Sequence, residues 1–175
     1  MKLIETKLEG VFVIEMEPSS DKRGSYKRVW GKDDFRALGL DDELDNIGIS
    51  YNKTRATFRG MHYQKEPFAE SKLVQCISGK IFDVVLDLRP ASQTFGEWIA
   101  VELTADGNTA MYIPKGLAHG FQTLEDDSQV LYFISAKYVK ESAAGVRWDD
   151  VRFGIELPLE ITVIDERDAS YPDFK

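Results

Sequence analysis

Stretch after stretch of this 175-residue chain alternates apolar with polar side chains, and that period of two constrains its fold more than any other feature. Val11 to Ile14, Lys72 to Ile77, Ile81 to Leu88, Glu97 to Leu103, Thr109 to Ile113 and Ser128 to Ser135 carry β-branched and aromatic residues at strand-like spacing. Turn chemistry separates them: Ser78-Gly79-Lys80 reads as a tight hairpin, Arg89-Pro90-Ala91-Ser92 and Ala105-Asp106-Gly107-Asn108 as longer turns. Short strands at this spacing predict an all-β sandwich or barrel in one domain spanning residues 1–175. One helix is expected, from Lys32 to Leu38, where Phe35 and Leu38 share a face and Gly39 supplies a stop. The segment from Tyr171 onward reads as a tail.

A formal charge of −8 disfavours generic binding to nucleic acid, whose affinity comes from neutralising phosphates with Lys and Arg. Apolar runs fall short of a membrane span, and Glu5 interrupts the N-terminus where a signal peptide would continue apolar, so a cytoplasmic location is expected. The lone Cys76, within Leu73-Val74-Gln75-Cys76-Ile77, reads as a buried strand residue rather than a reactive thiol.

Chemistry is expected where the only two histidines stand. His62 lies in Arg59-Gly60-Met61-His62-Tyr63-Gln64, and His119 follows Ile113-Pro114-Lys115-Gly116. Flanking alternation places both on or beside strands, with both rings facing a shared interior. Two satisfied core histidines are the simpler alternative, but Arg59, Lys72 and Gln64 accompany them, and charged side chains are seldom buried without partners.

Arg59-Gly-Met-His62-Tyr-Gln, Ser71-Lys72-Leu-Val, Gly79-x-x-x-Asp83, Asp87-x-Arg89, Ser92-x-Thr94-Phe95-Gly96-x-Trp98, Ile113-Pro-x-Gly-x-Ala-His119-Gly-Phe and Gly145-x-Arg147-Trp148-Asp149-Asp150 resemble the dTDP-4-dehydrorhamnose 3,5-epimerases over nearly the whole chain. The resemblance implies a cupin-type jelly-roll barrel with a few short peripheral helices, a homodimer, and a nucleotide-diphospho-4-keto-6-deoxy sugar as substrate. The implied enzyme is an isomerase that uses no cofactor. A metal-binding cupin would offer a His pair and a Glu; here His62-x-Gln64 and Lys72 stand in those places, and an ammonium repels a dication, so no bound metal is expected.

By the same resemblance His62 is the base that removes a proton beside the ketone, Asp168 its partner, and Tyr132 the acid on the opposite face. Lys72 and Arg59 would stabilise the enolate oxygen. His119 and Asp83 would orient groups around the substrate, Gln64 would contact it, Arg23 would hold the diphosphate, and Tyr138 would stack on the base where Lys137 replaces an aromatic. The chain departs from the family pattern at Ile47-Gly48-Ile49-Ser50-Tyr51-Asn52-Lys53, where isoleucines replace amides, and at Arg28, which replaces an acid. Unpaired base edges cost discrimination, so a nucleotide other than thymidine, CDP or GDP, is expected. A cupin ketoisomerase and a non-catalytic sugar-binding cupin are the alternatives.

Overall fold

The computed structural model describes residues 1–175 and holds fourteen strands and two short helices. The strands are β1 (Lys2–Glu5), β2 (Phe12–Glu15), β3 (Ser19–Asp21), β4 (Gly24–Tyr26), β5 (Asn46–Asn52), β6 (Thr57–Gln64) and β7 (Lys72–Ser78). There follow β8 (Lys80–Asp87), β9 (Trp98–Thr104), β10 (Thr109–Ile113), β11 (Leu117–Thr123), β12 (Ser128–Ile134), β13 (Ala143–Gly145) and β14 (Val163–Ile164). One sheet runs β1-β2-β10-β7-β12-β5, the other β13-β6-β11-β8-β9 with β14 added to β6, and β3 pairs β4 as a separate ribbon. All pairings are antiparallel except β14 with β6. This is the expected jelly roll.

Alternation places one side chain in two between the sheets. Cys76 of β7, Ile81 and Val85 of β8, Met111 and Ile113 of β10, and Phe121 of β11 form the inner core. Burying each large apolar side chain contributes about 1.5–3 kcal/mol. The alternate residues of β8, Val84 and Leu86, pack outward against Phe58, Val146, Phe153 and Ile155. With apolar cover on both faces, β8 carries apolar residues on both, broken by Asp83, so its alternation is weak. On the first sheet's outer face Ile14, Leu73, Ala110 and Tyr112 are covered by Phe35. Phe35 comes from helix α1 (Lys32–Ala37), which ends one residue short of the expected Leu38 before Gly39 at φ +72°.

Two readings of the sequence need correction. Ser78-Gly79-Lys80 is not a hairpin, because β7 and β8 lie in different sheets. Gly79, at φ +70°, carries the chain between them with its Cα against Ser128, where a Cβ would lie 2.5 Å from the hydroxyl oxygen. Nor is the segment from Tyr171 a free tail. The Phe174 amide donates to buried Asp150 at 2.7 Å, and its ring packs on Phe153 with centroids 5.4 Å apart. The Tyr171 ring packs against Gly145, where a Cβ would meet it at 2.2 Å. Cys76 is buried as expected, and burial pushes its thiol up to about 11.

The closest backbone approach joins β6 to β11. Gly60 has φ +137°, and a Cβ there would lie 2.4 Å from the Gly120 Cα. Gly60→Ala must therefore open the two strands as well as strain its own backbone, a combined cost of about 3 kcal/mol. Thermal unfolding followed by circular dichroism should show Tm lowered by roughly 10 °C.

Candidate active site

The site grows from the outer edge of β6. β13 pairs with Gln64, Tyr63 and His62, and β14 pairs with Thr57 and Phe58, which leaves the Gly60 amide between them. A second helix, α2 (Glu166–Ala169), starts two residues after β14, with the Asp165 side chain capping it by accepting from the Arg167 amide at 2.9 Å. That short turn delivers Asp168 to the gap. Its Oδ2 accepts from the Gly60 N–H at 3.1 Å, and its Oδ1 lies 2.6 Å from His62 Nε2.

A carboxylate can only accept, so the 2.6 Å contact with Asp168 calls for a proton on His62 Nε2, the tautomer that leaves Nδ1 with the lone pair. The His62 side chain is 34% exposed while that of Asp168 is 5% exposed, so the base-like nitrogen belongs to an accessible ring with a buried anchor. Burial alone would raise the Asp168 carboxyl. The His62 hydrogen bond, the His62 charge, the Gly60 amide and Arg167 more than offset it and hold the group below its usual range.

Cations surround this pair. Arg167 Nη2 lies 3.1 Å from His62 Nε2, and its Nε is 3.6 Å from Asp168 Oδ1. The Arg59 Nε donates to Asn52 Oδ1 at 2.6 Å. Arg59, Arg167, His62 and Asp168 border a cavity of about 500 Å³. His62 and Arg167 also border a second cavity of about 210 Å³, with Lys72, Glu70 and Tyr138 on its wall. Lys72 donates to the His62 carbonyl at 3.1 Å and pairs with Glu70 at 3.2 Å. Burial pulls the Lys72 ammonium below the usual lysine range, while Glu70 and Asp83 push it back.

Behind His62 lies a second histidine pair. His119 stands directly across from His62 in the β6–β11 ladder, and its Nε2 is 2.7 Å from Asp83 Oδ1, with both side chains buried. The Tyr132 ring meets His119 edge-on, 6.1 Å between centroids. Burial and the Asp83 charge push the Tyr132 phenol well above its usual range, against Ser50 and Arg59, which lower it.

The whole chain, with this site in it, matches known proteins. The family model for dTDP-4-dehydrorhamnose 3,5-epimerase matches residues 5–175. The chain belongs to that family. It is 35% identical to the dTDP-4-dehydrorhamnose 3,5-epimerase of Shigella flexneri, covering 99% of this chain and 96% of that protein. The Bacillus anthracis enzyme, solved with TDP and pyrophosphate bound, superposes with a TM-score of 0.94 at 34% identity, covering 99% of each chain. A 3'-monoepimerase from Streptomyces bikiniensis, solved with dTDP-quinovose, has a TM-score of 0.87 at 32% identity, covering 95% of this chain and 85% of that one.

Within this epimerase fold His62, Asp168, Lys72, Arg59 and Tyr138 gather around the two cavities, and His119, Asp83 and Tyr132 lie behind them. Three expectations are not met within one protomer. Arg23 lies on the β3–β4 ribbon, 84% exposed, with its guanidinium bound to Asp21 at 2.6 Å. Gln64 is buried with its amide already committed, donating to the Phe68 and Lys137 carbonyls and accepting from the Val139 amide at 2.7 Å. Its amide holds the loop carrying Tyr138, and the side chain borders the 210 Å³ cavity. Ile47, Ile49 and Tyr51 project outward from β5, half-exposed and away from both cavities, so they leave no thymine edge unpaired there.

Arg167 and Glu70 were missed. Each stands within two residues of a position that was singled out, Asp168 and Lys72, which was the available signal.

Asp168→Asn removes a charge that two hydrogen bonds hold in place, and at neutral pH should destabilise by about 1.5–3 kcal/mol. Because the folded carboxyl sits below its reference value of 3.8, its contribution is full above that value and is lost as pH falls through the folded pKa. Urea titrations should show the wild-type advantage shrinking below pH about 4. An advantage constant down to pH about 2 would contradict the charge-based account.

Proposed function

We propose that this epimerase acts on a dTDP-linked 4-keto-6-deoxyhexose, with His62 as base and Tyr132 as acid. The observation that carries the reading is the buried Asp168 carboxylate 2.6 Å from His62 Nε2. With a proton held on Nε2 by Asp168, Nδ1 is the ring nitrogen left to act as base, and Arg59, Arg167 and Lys72 border the cavities that His62 lines. In the proposed step Nδ1 takes the proton from a carbon flanking the ketone, the C–H electron pair becomes a C=C bond, and the carbonyl π electrons move to the oxygen. Lys72 faces that oxygen as the stabilising cation. Asp168 stabilises the imidazolium that results, as a buried carboxylate does for a catalytic histidine.

Reprotonation from the other face inverts the carbon. A phenol whose pKa is raised keeps its proton at neutral pH, which suits Tyr132 to that part. The diphosphate is assigned to the larger cavity, where Arg59 and Arg167 offer guanidinium groups. The sugar is assigned to the smaller one, beside Lys72. Thymidine is preferred to CDP or GDP because the solved relative binds TDP and because Ile47 and Ile49 lie outside both cavities. Inversion at both flanking carbons follows the family description, and the monoepimerase relative keeps C3 alone as the second outcome.

The same reading includes a cytoplasmic homodimer. Ile47, Ile49 and Tyr51 make an exposed apolar stripe on β5, and the β3–β4 ribbon displays Arg23 where a second protomer could receive it.

Incubation with dTDP-, CDP- and GDP-linked 4-keto-6-deoxyhexoses in deuterium oxide, followed by NMR, tests the proposal. Label should enter beside the ketone of the dTDP sugar, at C3 and C5. Exchange with none of the three would leave a binding module as the better reading. His62→Ala should lower wash-in by about 10²–10⁴-fold. Tyr132→Phe should still admit label while blocking net inversion. Full activity in both variants would remove the assignment of base and acid.

A further inference from the structure

Glu70 takes no part in the steps above, yet one of its oxygens is buried and unpaired beside them; Asp83 has such an oxygen too, but lines neither cavity. It sits in the loop between β6 and β7, its side chain only 7% exposed. One oxygen, Oε1, pairs with Lys72 Nζ at 3.2 Å. The other, Oε2, is buried and has no hydrogen-bond partner in the protein. Its side chain borders the 210 Å³ cavity shared by His62, Lys72 and Tyr138.

A counter-ion for Lys72 needs one carboxylate oxygen, and Oε1 supplies it. Leaving the second oxygen buried and unpaired costs free energy that a buried charge does not bear without compensation. A carboxylate that borders a cavity with one oxygen unpaired is an acceptor that a donor bound in that cavity can satisfy. A cationic donor is disfavoured because Lys72 already balances the carboxylate and Arg167 stands on the same wall. A neutral hydroxyl fits both the charge and the space.

Position narrows the choice of hydroxyl. If Lys72 holds the oxygen at C4, a carboxylate in contact with Nζ has its free oxygen next to the substituents of the flanking carbons. C5 of a 6-deoxyhexose carries a methyl group and the ring oxygen, neither of which donates. C3 carries a hydroxyl. We infer that Glu70 accepts a hydrogen bond through Oε2 from the C3 hydroxyl of the bound sugar and so determines which sugars this site takes. The inference rests on the proposed function. It adds a consequence for geometry, since fixing the C3 hydroxyl fixes which face of C3 turns to His62.

The test compares the dTDP-linked 4-keto-6-deoxyhexose with its 3-deoxy counterpart, reading kcat/KM for deuterium wash-in beside the ketone. Wild type should prefer the hydroxylated sugar by about 10–100-fold, the range for a hydrogen bond to a charged group. Glu70→Ala should bring that ratio close to one, chiefly by slowing the hydroxylated sugar. Glu70→Gln keeps an acceptor oxygen and should retain part of the preference, which gives a second reading should the alanine variant fail to fold. A role confined to holding Lys72 would slow both sugars alike and leave the ratio intact. An unchanged ratio in folded Glu70→Ala, or no preference in wild type, overturns the inference. Absence of wash-in with either sugar in wild type overturns the epimerase reading itself, and is recognised before any variant is measured.

Discussion

The contact between Asp168 and the edge of β6 is the one on which the rest of the site depends. β6 is covered on that edge by β13 at one end and β14 at the other, and the amide between them would be left without a partner. Asp168 closes the gap with one oxygen and holds His62 with the other. A charge-assisted bond to a backbone amide is roughly twice as strong as a neutral one. The same carboxylate thus completes the sheet and selects a histidine tautomer, tying the chain's C-terminal segment to residues more than a hundred positions earlier.

Buried charge sets the second constraint. Lys72, Glu70, Asp83, His119 and Asp168 are all largely excluded from water, and each carboxylate has a cationic or imidazole neighbour. Pairs of this kind are weak evidence for stability, because desolvation offsets most of the attraction. Their retention is better explained by what they do to protonation. Burial lowers the proton affinity of Lys72 and raises that of Tyr132, while Glu70 and Asp83 restore the lysine and Asp83 reinforces the tyrosine. Placing carboxylates beside both groups favours a cationic lysine and a neutral phenol together, the combination that an enolate and its reprotonation require.

The strands were legible in the sequence because a half-buried strand writes its period into side-chain polarity, and Thr109–Ile113 is recovered with its own boundaries. The short β1, β3, β4, β13 and β14 were not, since two to four residues hold no period and pairing with a neighbour alone makes them strands; the longer β5 was also missed, and β6 and β11 were placed only as strands on or beside the histidines. Turn residues reveal a change of direction without its destination, which is why Gly79 read as a hairpin although it crosses between sheets. Tyr171 and Phe174 read as a tail because their partners, Gly145, Phe153 and Asp150, lie about twenty or more residues away. At the site, motif resemblance located His62, Lys72 and Asp168. It could not distinguish an amide facing a ligand from one spent on a loop, and Gln64 is the latter.

Arg167 connects these threads. It is the one cation that borders both cavities, and it touches His62 while the Tyr171 ring lies 5.9 Å beneath its guanidinium. In the proposed reading the diphosphate lies in one cavity and the reacting carbon in the other. With phosphate oxygens on the Arg59 side and the ketone on the Lys72 side, the chain of bonds between them has to pass the junction where His62 and Arg167 meet. On the proposed assignment, proton abstraction at His62 is favoured for ligands that engage both sides at once, and binding energy from the remote diphosphate goes into orienting the carbon that reacts. Docking Tyr171 against Gly145 beneath Arg167 gives the guanidinium its fixed support, so the final residues of the chain take part in setting the distance across which a substrate must reach.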